Sequence, residues 1–167
     1  MPKKLTGMDE TQIEFRYRNR DYQIDLVESL VLDDLSVDEI KETMNELPAR
    51  MAYWKSFLVT VQREIADKEE EFDLWFQGHY MEVSSENEKK TEGWKKSKVM
   101  LDNASEYRES KTVLRNLTDV AKKVEVIVSG YNNQVWTLRE IARLTHAEIS
   151  NLSQSSLKTG TGSLADL

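Results

Sequence analysis

The sequence predicts a mainly α fold: a long antiparallel helical hairpin, coiled-coil-like, with a short intervening helix and an N-terminal β-hairpin, assembled as an oligomer. Three observations point there. Two stretches, 51–75 and 113–141, repeat apolar residues at spacings of three and four. Only two prolines and six glycines interrupt 167 residues, which leaves few places for the chain to turn. Charged residues make up 32% of the chain and mean hydropathy is −0.62, a composition suited to long solvated helices.

The elements follow in order. Residues 13–27, "IEFRYRNRDYQIDLV", alternate Ile13, Phe15 and Tyr17 with charged residues, then Tyr22, Ile24 and Leu26 with polar ones. A period of two on both sides of "NRD" reads as a β-hairpin. A lone hairpin is marginal in water, so it must dock on a helix or on another subunit. By the same alternation Arg16, Arg18 and Arg20 share a face that could hold phosphates; charges on an exposed sheet face also simply protect an edge.

Ser36 and Glu39 form a capping box that opens a short helix to about Glu46, and Pro48 suits the first turn of the next. There Met51, Trp54, Leu58, Val61, Ile65, Phe72 and Trp75 make a seam interrupted by Lys68, and Gly78 offers a helix end. "SSENEKK" reads as a loop and "WKKSKVML" as a short helix capping the open end. Ser105 can cap the last helix, whose seam runs from Val113 to Ile141 with Gln134 and Thr145 as polar interruptions. Gly130 inside it costs about 1 kcal/mol relative to alanine, so a close neighbour or a bend must compensate. The chain therefore divides into an N-terminal extension with the hairpin (1–35), a helical domain (36–150) and a flexible Ser/Thr/Gly-rich tail (151–167).

Composition excludes several functions. Without cysteine there is neither a disulfide framework nor a thiolate metal site. His79 and His146 lie far apart, and no phosphate-binding loop, dinucleotide fingerprint, zinc-protease or EF-hand motif occurs. "DKEEEFD" reads as a solvated acidic face. The chain is expected not to be an enzyme and to need no cofactor or metal. No apolar run approaches a membrane span, and the N-terminus lacks the apolar core of a signal peptide, so the expected location is the cytoplasm.

Net charge is −7, but it is uneven: residues 1–46 hold 6 basic and 12 acidic side chains, whereas 111–149 hold 6 and 4. Any nucleic-acid grip must therefore be local. "KKTEGWKKSK" is the candidate, with Lys89, Lys90, Lys95, Lys96 and Lys98 around Trp94. Lysines give sequence-independent phosphate contact and tryptophan stacks on an unpaired base. The alternative is that Trp94, Val99 and Leu101 bury against the long helices while the lysines keep the short helix solvated. For subunit contacts the candidates are Trp54, Phe72 and Trp75 on the seam, with Phe76 and Tyr80 beside it.

The order of these features resembles the UvsY-type recombination mediators of tailed phages. The likeness covers about 47–145: a long helix ending in "FDLWFQG", a polar loop with "KTE", then Val99, Asp102 and Tyr107, and a second long helix carrying "VIVSGYNNQVW". The resemblance implies a non-enzymatic, ring-forming helical protein that binds single-stranded DNA and helps a recombinase displace the single-strand-binding protein. The basic DNA contacts of that family fall where this chain has Glu69, Glu70 and Glu71. Contact is therefore expected at the lysines around Trp94, then at Arg16, Arg18 and Arg20. The competing expectation is a phage structural or assembly adaptor acting only through coiled-coil and β-edge protein contacts.

Overall fold

The computed structural model describes residues 12–30 and 36–160; the expectations for 1–11, 31–35 and 161–167 lie outside the described residues. Strands β1 (Gln12–Tyr17) and β2 (Arg20–Asp25) form an antiparallel hairpin followed by α1 (Leu26–Leu30), α2 (Val37–Glu86), α3 (Glu92–Asp102) and α4 (Ala104–Gly160). Helices α2 and α4 pack antiparallel as two long rods, α2 spanning 50 residues, or roughly 75 Å at helical rise.

The hairpin turns at Arg18 and Asn19, both with positive φ (47° and 61°), a two-residue turn whose twist matches the strands. Its register places Phe15 opposite Tyr22 and Ile13 opposite Ile24. Those side chains point inward. Ile13, Phe15 and Tyr17 are buried against α2 and α4, each stabilising the docked hairpin by about 1.5–3 kcal/mol. Phe15 and Tyr22 stack at 4.9 Å and meet Trp54 and Phe57 of α2 edge-on. The aliphatic seam of Val61 with Leu117, Val120, Val124, Ile127 and Leu138 continues the same core.

Four local expectations are corrected. No break separates the helix opened by Ser36 from that containing Pro48. Ile40, Leu47, Met51 and Trp54 keep one apolar face across the proline, and their packing carries the helix through a substitution that costs about 3 kcal/mol in isolation. The capping box is present, with Glu39 N–H on Ser36 Oγ and Ser36 N–H on Glu39 Oε2 at 2.7 Å. Gly78 does not end α2, because α3 packs on its last two turns and holds them helical to Glu86. Asn103, not Ser105, marks the start of α4: its backbone and side-chain N–H groups both donate to Val99 O, and its carbonyl accepts from Tyr107 N. The tail predicted from Asn151 is helical as far as Gly160.

Gly130 has the close neighbour that its position demanded. A Cβ built there would run into the δ1 methyl of Leu30, so the glycine is where α1 seats on α4.

Candidate nucleic-acid interface

The α2–α3 connection is built by local hydrogen bonds. Asn87 Nδ2 donates to Val83 O at 3.1 Å, Lys90 N–H to Asn87 O, and Thr91 caps α3 by accepting from Trp94 N–H at 3.3 Å. Glu92 in the first turn favours the helix dipole. This arrangement brings Lys89, Lys90 and Trp94 to the end of the two-rod bundle.

There the side chains divide. Trp94 is 38% exposed, and Lys90 Nζ lies 5.5 Å from its ring centre, a cation–π contact. Lys89 and Lys90 flank a shallow depression with Ser85, Asn87 and the carboxylates Glu86 and Glu88. Lys89, Lys90 and Lys96 are exposed and form no ion pair among the described residues. Lys98 pairs with Asp102 at 2.7 Å, which neutralises it. Lys95 departs from the sequence expectation: it is buried, with Nζ donating to Ser84 Oγ at 3.0 Å, so its stem packs against α2 and its ammonium ties α3 to α2. Of the apolar residues expected to anchor α3, Val99 is fully buried while Leu101 is 74% exposed.

The three arginines do not share a face. The turn reverses the chain, so Arg16 stands on the outer face beside Asp21 at 3.7 Å while Arg20 lies opposite Tyr17 on the inner side. Arg18 sits in the turn itself, paired with Glu64 at 3.0 Å and over the Tyr17 ring. Assuming unbroken alternation through residues 16–20 missed the two left-handed residues. The Glu64 anchor is also 20 residues, roughly 30 Å, from Ser84 along α2, so arginines and lysines form no common site.

The aromatic residues assigned to subunit contact also separate. Trp54 is buried beneath the hairpin of its own chain, which takes up the surface expected to meet a partner. Phe72, Trp75, Phe76 and Tyr80 remain half-buried beyond the hairpin. Phe72 and Trp75 stack at 5.7 Å, and Trp75 Nε1 donates to Glu106 Oε2 at 2.9 Å. Tyr107 and Lys111 join them from α4, with Lys111 Nζ 4.1 Å from the Phe72 ring centre. The signal for these two is their i, i+4 spacing in the first turns of α4.

Among the described residues no group of three or more carboxylates and histidines is placed to hold a metal ion, and no helix is long and apolar enough to cross a membrane. Comparisons with protein-family models, with curated proteins and with solved structures find no match to this chain.

Proposed function

We propose that this chain is a non-enzymatic recombination mediator that binds single-stranded DNA and helps load a recombinase onto strands covered by single-strand-binding protein. The observation that carries the reading is the exposed Trp94 with Lys90 on its ring; Lys89 before it and Lys96, farther round α3, likewise form no ion pair among the described residues. An aromatic platform beside unneutralised cations suits an unpaired, charged polymer. The order of sequence features shared with phage mediators supports the rest. Weak individual sites gain affinity when subunits cluster, and the half-buried Phe72, Trp75, Phe76 and Tyr80 supply a surface for that association.

The test is an anisotropy titration of the full chain with a labelled oligothymidylate at two salt concentrations. Binding that weakens as salt rises is expected; absence of binding, or binding indifferent to salt, refutes the reading.

A second reading is favoured by the same aromatic face and by the acidic first half: a phage structural or assembly adaptor working through protein contacts alone. Replacing Lys89, Lys90 and Lys96 with glutamate separates them. The mediator loses DNA binding and keeps its assembly state, while the adaptor changes in neither respect.

A further inference from the structure

The seam of α4 leaves an opposite side, and its heptad line reads Arg108, Arg115, Lys122, Ser129, Trp136 and Arg143, with no carboxylate. All six are exposed. The hairpin and α1 cover α4 elsewhere, at Lys123, Gly130 and Gln134, where Lys123 Nζ donates to Glu14 O and Leu30 meets Gly130.

Three of the cations are uncommitted. Arg108, Arg115 and Lys122 form no ion pair among the described residues, although Glu106, Glu109, Asp119 and Glu125 lie within four positions of them. Arg143 is neutralised by Glu140 at 3.0 Å and is left out. Trp136 is 66% exposed and has neither a ring contact nor a hydrogen bond among the described residues. A single exposed side chain needs no explanation, but an indole in line with uncommitted cations combines a stacking platform with phosphate contacts.

Successive positions on this line are roughly 10 Å apart at helical rise, which is also about three nucleotides of a stacked strand. We infer that the outer ridge of α4 is a second track for single-stranded nucleic acid, with phosphates on Arg108, Arg115 and Lys122 and a base on Trp136. The inference rests on the single-strand-binding reading and extends it from the bundle tip along the rod. Groove recognition of a duplex would leave the indole without a base face, so the unpaired strand is the ligand the ridge fits. An acidic segment of another protein is the alternative occupant.

The test uses the full-length chain and a fluorescein-labelled oligothymidylate. Each ridge side chain is exposed, so Arg115→Glu with Lys122→Glu, and separately Trp136→Ala, should leave the thermal melt unchanged. The double variant is expected to bind at least tenfold more weakly at low salt, with the salt slope reduced by about 1.4. Trp136→Ala is expected to weaken binding about tenfold. If the ridge variants bind as the wild type does while Lys89, Lys90 and Lys96→Glu abolishes binding, the ridge is refuted and the tip stands. If the wild type itself does not bind, the functional reading fails first. Ridge variants that lose self-association but keep DNA affinity, or an unlabelled duplex that competes as well as the single strand, also overturn the inference. Should the glutamates disturb folding, Arg115→Gln with Lys122→Gln gives the same comparison.

Discussion

The Tyr17 hydroxyl donates a 2.6 Å hydrogen bond to Glu64 Oε2, joining the end of β1 to the middle of α2 across 47 residues of sequence. Burial and the neighbouring carboxylate push the Tyr17 hydroxyl up to about 12, while the hydrogen bond from Tyr17, helped by Arg18, pulls Glu64 below the usual carboxylate range. Both shifts favour the neutral phenol beside the charged carboxylate.

The two shifts set a pH window for the docked hairpin. A raised Tyr17 contributes stability that is complete below its ordinary value of 10.0 and is lost as pH climbs through about 12. A lowered Glu64 contributes stability above the ordinary carboxylate value that is lost as pH falls through its folded value. Tyr17→Phe should cost about 1–2 kcal/mol in urea unfolding at neutral pH. The variant should also lack the alkaline loss, on the order of 2 kcal/mol, that the wild type shows across that range. A variant whose alkaline unfolding profile matches the wild type would mean that the bond does not hold the hairpin.

Two helical glycines should respond differently to alanine. Nothing lies within 4 Å of a Cβ at Gly78, so Gly78→Ala should stabilise the protein by about 0.5–1 kcal/mol through helix propensity alone. At Gly130 the same gain is offset by the displacement of Leu30, whose flexible end can rotate aside, leaving a net change within about 1 kcal/mol. Gly130→Ile cannot be accommodated that way and should cost about 1–3 kcal/mol. Thermal melts of the three variants check the order.

Much of the fold was legible because periodicity reports burial directly. The residues spaced at three and four from Met51 to Ile65 and from Leu117 to Leu138 form the core, and the alternation of Ile13, Phe15 and Tyr17 marks the inner face of the hairpin. What local rules misplaced were ends and breaks. Pro48 and Gly78 are ordinary stop signals, yet the packing of Leu47 and Trp54 on one side and of α3 on the other outweighs them. At the site, composition found the lysines around Trp94 but not their roles, because only the packing of α3 on Ser84 distinguishes the buried Lys95 from the exposed Lys96.

Gln134 interrupts the α4 seam with a cost that can be removed. Among the described residues its Oε1 is buried without a hydrogen bond, and Nε2 reaches Ser29 O only at 3.5 Å. Gln134→Leu keeps the volume and removes the desolvated carbonyl, so it should raise stability by about 1 kcal/mol. Denaturant midpoints at unchanged slope would measure it; a fall in midpoint would show that the weak contact to α1 outweighs the buried oxygen.

Lys95 and Lys96 are adjacent in sequence and should behave as opposites. Lys95→Ala removes a buried stem and the bond to Ser84, so the melting transition should drop, corresponding to about 1–3 kcal/mol. Lys95→Met keeps the stem and should recover part of that loss. Lys96→Ala leaves the core untouched and should change stability by less than about 0.5 kcal/mol. For DNA the order reverses: Lys96→Ala should lower the salt slope of binding by about one, while folded Lys95→Met protein keeps the wild-type slope. Equal slopes for Lys96→Ala and wild type would remove the strand from Lys96, and a reduced slope for Lys95→Met would show that the Lys95 ammonium leaves Ser84 to meet a phosphate.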